Sequence, residues 1–261
     1  MRSLSTAASG MMAQQTNVET ISNNIANLST TGFKRQQAQF QDLLYQDQRR
    51  VGAQSSDAGT IVPAGIQIGL GVRTASILRI TEQGGFTQTG STTDLAIQGK
   101  GYFQVQLPSG ETAYTRDGSF NLSPTGQLVT KDGFNVLPTL TVPQNATSIA
   151  ISSSGQVQAT IPGATTPAVL GQISLATFQN EAGLTALGQN LFQVTAASGQ
   201  ATVAVAGSAG VGTVLQGYTE GSNVNPVTEI TNLIQAQRAY EMNSKVISAS
   251  DQMLQTASQL R

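Results

Sequence analysis

The sequence predicts an α+β chain in which N- and C-terminal helices pair as a coiled-coil-like unit and an all-β domain is inserted between them. Three patterns carry this expectation. Apolar residues recur every seventh position near the start of the chain, a matching stripe runs through its last segment, and turn-forming residues punctuate everything between.

At the N-terminus Leu4, Met11, Val18 and Ile25 stand seven apart, and Ala7, Gln14, Ile21 and Leu28 follow each by three. These are the a and d positions of four heptads, the spacing that returns to one helix face. Only Arg2 and Glu19 are charged in residues 1–28, and the polar positions hold Ser, Thr, Asn and Gln. A solvated helix face usually carries Lys and Glu, so this one reads as a face made to be covered. With a nucleation constant of ~10⁻³, such a helix is expected to be poorly ordered in the isolated chain. Thr30, Thr31 and Gly32 end it, Gly32 being suited to the position just past a C-cap. Residues 1–32 are thus the first half of a terminal helical domain.

Residues 33–65 form a second segment. Phe33, Phe40 and Leu44 would share one face of a short helix, but Gln36, Gln37, Gln39 and Gln41 leave that stripe weak and the segment unassigned. From Gln46 to Gly65 the chain is polar, with Gln46, Gln48, Arg49, Arg50, Gly52, Gln54, Ser55 and Ser56. That is too long for a routine loop, so it reads as a mobile linker or an inserted interaction element.

Residues 66–220 read as β. Ile66-Gln67-Ile68, Ile77-Leu78-Arg79-Ile80 and Leu95-Ala96-Ile97 are short apolar runs bounded by turn residues. A meander follows. Phe103, Val105 and Leu107 precede Pro108-Ser109-Gly110, Tyr114 starts the return, Phe120 and Leu122 precede Pro124-Thr125-Gly126, and Leu128 and Val129 precede Asp132-Gly133. Turns every ~8–12 residues are the all-β rhythm. Farther on, Ile149-Ala150-Ile151, Ile173-Ser174-Leu175 and Thr202-Val203-Ala204-Val205 also alternate, and Glu181 is the single charged residue between Phe134 and Thr219. Such low charge suits either a plain β domain or a surface packed against neighbours.

Residues 221–261 complete the helical domain. Ala239 with Tyr240, Val246 with Ile247, and Met253 with Leu254 repeat by seven, and Val227, Ile230, Leu233 and Ile234 extend the stripe upstream. Met242 and Ala249 widen it beyond what one partner covers, so this helix needs neighbours on more than one side. Arg238, Glu241 and Lys245 are spaced for pairing on a solvated face or for pairs between subunits.

Composition excludes much chemistry. A net charge of −1 lacks the basic face that nucleic acid requires, and with neither Cys nor His there is no thiolate, no zinc site with nitrogen or sulfur ligands and no histidine base. Gly99-Lys100-Gly101 lacks the following Ser or Thr of a phosphate loop and reads as a hairpin turn. Gly69-Leu70-Gly71 lacks the third glycine of a dinucleotide fingerprint, and Asp94, Glu111, Asp117 and Asp132 sit where turns need them. The chain is therefore expected to be no enzyme and to use no cofactor, metal or small-molecule substrate. No run nears the ~18 apolar residues of a membrane helix, and the polar, periodic pattern after Arg2 does not read as a cleavable signal peptide.

Ser22-Asn23-Asn24-Ile25-Ala26-Asn27, followed by Thr30-Thr31-Gly32-Phe33-Lys34-Arg35, resembles the axial proteins of the bacterial flagellum, the rod and hook family. The C-terminal half of the likeness is Ser222-Asn223-Val224-Asn225, then Ile234-Gln235-Ala236-Gln237-Arg238-Ala239-Tyr240-Glu241 and Asp251-Gln252-Met253-Leu254. Length, the segment Phe40 to Tyr45 running into Gly52-Ala53-Gln54-Ser55-Ser56, and the meander from Asp94 to Val136 are most similar to subunits of the distal rod. Hook and proximal rod subunits remain alternatives. The likeness weakens between about Val142 and Gly217, and Pro226 departs from the Val-type residue common in relatives; proline is tolerated in a first helical turn and would fix the helix start.

The resemblance implies a non-enzymatic subunit exported without cleavage through the flagellar type III apparatus and assembled helically into a hollow tube across the periplasm. The implied partners are further copies of the chain, proximal rod subunits, hook or hook-rod junction subunits, and the P and L rings as bushing. The seven-residue spacing, on this reading, gives helix pairing and subunit assembly to Leu4, Met11, Val18, Ile21, Ile25, Leu28, Leu233, Tyr240, Val246, Ile247, Met253 and Leu254. The connector, with Gln46, Arg49, Gly52, Gln54, Ser55 and Ser56, is similar to the element that distinguishes a stiff distal rod from the curved hook. Paired terminal helices would line the export channel, where uncharged Ser, Thr, Asn and Gln suit passing unfolded chains. A reading from a different class is a secreted β-rich adhesin with a coiled-coil stalk, built as closed trimers.

Overall fold

The computed structural model describes residues 2–49, 64–162 and 166–259. It has helix α1, Arg2–Ala26, helix α2, Pro226–Gln259, and a strand-rich region between them, an α+β chain as expected. The chain divides into two compact units. One comprises Met1–Ala26, Gln36–Leu78 and Asn225–Arg261, the other Asn27–Arg35 and Arg79–Val224.

In the helical unit α1 and α2 pack on each other. The strand Gln36–Asp42 pairs with Val72–Arg79, and Tyr45–Arg49 pairs antiparallel with Ile66–Gly69. The segment after α1 is therefore a strand rather than a short helix, because its alternating glutamines give a period of two that a ribbon uses and a helix does not. Ile66–Gly69 and most of Val72–Arg79 accompany the helices, whereas the sequence grouped them with the β domain. Their side chains are largely exposed, so they add little to a sheet core.

The second unit is all β. A nine-stranded sheet runs in the order 185–188, 191–193, 112–115, 102–106, 135–137, 128–129 and 121–122, with Ser174–Thr177 joined to Tyr102–Gln106 and carrying Thr202–Val205 on its other edge. The turns at 108–110, 124–126 and 132–133 close antiparallel pairs, as their residue types require. Gly99-Lys100-Gly101 does not close a hairpin. It joins Leu95–Gln98, which pairs with Thr213–Gln216, to Tyr102–Gln106 in the large sheet. The core holds Leu95, Ile97, Phe103, Phe120, Ile173, Leu175 and Val214, each fully buried and worth ~1.5–3 kcal/mol of transfer energy. Beside it Tyr102, Tyr114, Phe178 and Phe192 meet edge to face with centroids 4.9–6.1 Å apart.

Helix α1 stops at Ala26, earlier than Gly32, because residues 27–33 form turns: Thr30 N donates to Asn27 O at 3.2 Å and Phe33 N to Thr30 O at 3.3 Å. Within the β unit this entering segment is fastened to the leaving one. Gly32 N donates to Glu220 O at 2.8 Å, Lys34 Nζ to the Glu220 carboxylate at 2.5 Å, and Arg35 N to Asn223 Oδ1 at 2.6 Å. A third segment joins them. Asn223 Nδ2 donates to Ile80 O and Glu82 O, both at 3.0 Å, Lys34 Nζ also donates to Glu82 O, and Gly84 N donates to Glu220 Oε1 at 3.1 Å. Arg116 Nε stands 3.7 Å from the other Glu220 oxygen, and all three charged side chains are buried. Burial pushes the Lys34 ammonium below its ordinary pKa, with Glu220 pulling the other way.

Gly32 has φ +69°, and a Cβ there would lie 2.8 Å from the backbone of Arg116 and Asp117. Gly32→Ala is therefore expected to lower the unfolding free energy by about 2 kcal/mol or more, measured by urea titration, since both conformation and space oppose a side chain.

Candidate assembly surface

The two helices run antiparallel in layers one heptad apart. Ser250 Oγ lies 3.4 Å from Ser3 Oγ, Asn243 packs against Gly10, and Asn24 Nδ2 donates to Glu229 Oε2 at 3.1 Å. Counting by heptads, Asn17 and Ala236 fall between these layers. These facing side chains are small or polar; Ala7, Ala13, Thr20, Ile21 and Asn24 are buried on α1 and Glu229, Ala236 and Ser250 on α2. A Cβ on Gly10 would stand 2.8 Å from the Asn243 amide, so glycine is what permits this approach.

At the α2 start, Asn225 Oδ1 accepts from Val227 N at 3.0 Å and Thr228 N at 3.3 Å, an N-cap, and Pro226 takes the first helical position. Asn24 ties this start to the strand after α1. Its amide donates to Gln36 O at 2.7 Å and its oxygen accepts from Gln36 N at 2.8 Å, in addition to the bond to Glu229.

The large apolar residues lie elsewhere. Tyr240, Val246, Met253 and Leu254 retain 36–59 % of their surface, and Val227, Ile230, Ile234 and Met242 are also exposed. Leu233 and Ile247 are half-buried, as are Leu4, Met11, Val18, Ile25 and, in the β unit, Leu28; Ile21 is buried. Val18 and Tyr240 come together with Gln15, Glu19, Gln237 and Glu241 along a groove of about 360 Å³ between the helices. Arg238 and Lys245 are exposed.

Of the remaining signature residues, Asn24 and Gly32 are buried, Asn27, Phe33 and Ala239 half-buried, and Ser22, Asn23, Ala26 and Gln237 exposed. In the connector, Gln46 and Arg49 are exposed on the strand Tyr45–Arg49, opposite Ile68 and Ile66, among exposed Leu44, Tyr45 and Leu70. Gly52, Gln54, Ser55 and Ser56 lie outside the described residues.

Three family models match the chain: flagella basal body rod protein over residues 4–34, flagellar hook protein FlgE/F/G D1 domain over 96–159, and flagellar basal body rod FlgEFG protein C-terminal over 215–260. The flagellar basal-body rod protein FlgG of Caulobacter vibrioides is 63 % identical over 261 residues, all of both chains. The chain belongs to the flagellar basal-body rod protein family. Among other members, the FlgG protein of Buchnera aphidicola from Acyrthosiphon pisum is 51 % identical over 99 % of each chain. That of Bacillus subtilis is 41 % identical over 98 % of this chain and 97 % of its own. This rod protein is a structural subunit of the flagellar basal body, and its two end matches fall on the helical unit and the segments that continue from it.

The heptad pattern placed Ala7 and Ile21 on the d positions, but it did not single out Gly10, Asn243, Ser250 or Glu229. Gly10 in the middle of a helix, about 1 kcal/mol less favourable there than alanine, was the available signal of a close approach. Asn24 was visible only as part of the signature, without its partner, and Glu229 gave no signal, because a glutamate in a first turn is ordinary.

Proposed function

We propose that copies of this rod protein assemble helically into the distal rod, a rigid hollow drive shaft that carries torque across the periplasm to the hook. The observation that carries the reading is the division of labour on α2: small and polar side chains face α1 while Tyr240, Val246, Met253 and Leu254 stand exposed. An apolar stripe of this length needs cover, and a repeated contact between identical subunits that does not close generates a filament. The full-length similarity to proteins named FlgG favours the distal rod over a hook or proximal rod subunit. Partners on this reading are neighbouring copies, proximal rod subunits, hook or hook-rod junction subunits, the P and L rings around the shaft, and the type III export apparatus that delivers the chain without cleavage. The connector, including Gln46, Arg49, Gly52, Gln54, Ser55 and Ser56, stiffens the tube by locking neighbours.

Electron microscopy of the purified, polymerised chain tests this. Straight open tubes are expected, and deletion of residues 46–65 is expected to give curved or flexible ones. Discrete trimers, or a chain that stays monomeric at high concentration, would overturn the reading; straight tubes from the deletion variant would overturn the role of the connector alone.

A further inference from the structure

We propose that the buried Asn24–Glu229 layer sets the register of the terminal helix pair, a task its apolar pattern cannot perform. Leu4, Met11, Val18 and Ile25 repeat by seven, as do Ile247 and Leu254 on α2, so sliding one helix by a heptad presents nearly the same apolar face. Length does not prevent the slip. α1 has 25 residues and α2 has 34, and with Ser3 level with Ser250 the second helix continues to Gln259. Moving α1 one heptad toward that end would bring Ser3 level with Ala257 and keep the whole overlap.

The layers oppose this shift. The slip places Asn24 beside Ala236 and Asn17 where Gly10 faces Asn243, and it leaves Glu229, 2 % exposed in the native pair, without the Asn24 amide. Removing one partner of a buried charged hydrogen bond is costly, whereas apolar side chains at both positions would fit either register. Asn24 is itself held, because its amide spans both backbone groups of Gln36, so its height along α1 is fixed to the strand that follows. A single buried polar layer specifying register at some expense of stability is an established device in coiled coils. The inference concerns the helix pair alone and stands apart from the distal-rod reading.

Disulfide trapping reads it on the purified full-length chain, which contains no cysteine of its own. Ser3→Cys with Ser250→Cys reports the native register, and Ser3→Cys with Ala257→Cys reports the slip; in a glutathione buffer the ratio of the two yields gives the preference even where pairing is transient. With the natural layer, the slipped product is expected below about one-tenth of the native one. In the Asn24→Leu/Glu229→Leu chain the slipped share is expected to rise by about fivefold or more, short of equality because Asn243 still fits best opposite Gly10, and Glu229→Gln, which keeps a polar layer, retains the low ratio. Glu229→Ala, matching Ala236 one heptad on, supplies the measurement where the leucine chain does not fold, and its ratio is expected to rise. An unchanged ratio in the apolar variants overturns the proposal. So does a rise with Glu229→Gln, or slipping in the natural chain.

Discussion

Replacing Glu220 by leucine is expected to lower the stability of the β unit by about 3–5 kcal/mol and its melting temperature by roughly 10 °C. The carboxylate is fully buried and faces two buried cations, Lys34 at 2.5 Å and Arg116 at 3.7 Å. Without it, Lys34 keeps Glu82 O and Arg116 keeps Gly99 O at 2.8 Å, but both lose the carboxylate they face in the buried cluster. The Gly84 amide loses its acceptor as well. The loss would remove a large share of a typical domain stability of ~5–15 kcal/mol. Two readings of such a loss are separable. If it comes from uncompensated charge, Lys34→Met/Glu220→Leu recovers part of it, since both ions of the closest pair leave together. If the double variant loses the sum of the single losses, the pair is not coupled and the electrostatic account fails. Calorimetry of the three purified chains decides between them.

The same cluster shows where sequence legibility ended. Lys34 was visible as part of a signature, but Glu220 and Arg116 stand far from it in the chain, and nothing in local pattern relates positions 34, 116 and 220. Strand existence was legible because alternation and turn chemistry are local: the hairpins at Pro108-Ser109-Gly110 and Asp132-Gly133 follow from their own residues. Partner choice is not local, so Gly99-Lys100-Gly101 looked like a hairpin yet leads from one sheet to another. Both helices were legible from their seven-residue period. Their facing sides were not, because hydrophobicity marks the face that wants cover without saying whether the cover is the partner helix or something else. Ser3, Gly10 and Ser250 hold the seam by being small, Gly10 leaving room for Asn243.

Placing carboxylates on the exposed α2 face, as Val246→Glu/Met253→Glu, is expected to leave the unfolding transition of the isolated chain within about 0.5 kcal/mol of the natural one. It is expected to raise the concentration needed for polymerisation by more than about 100-fold. Val246 is 47 % and Met253 59 % exposed in the single chain, so a charge there remains hydrated before assembly. Once a neighbour covers the stripe, each carboxylate must shed water without a counter-ion, at a cost of several kcal/mol, and the penalty recurs at every copy in the tube. Val246→Leu/Met253→Leu controls for shape, since it preserves the apolar surface and should polymerise near the natural concentration. Sedimentation across a concentration series, with the unfolding transition recorded on the same preparations, separates the effects. Tubes forming from the glutamate variant at the natural concentration would mean that this stripe faces solvent in the polymer as well. The subunit contact would then have to be sought on the half-buried column of Leu4, Met11, Val18 and Ile25 or on the exposed ribbon around Tyr45 and Ile68.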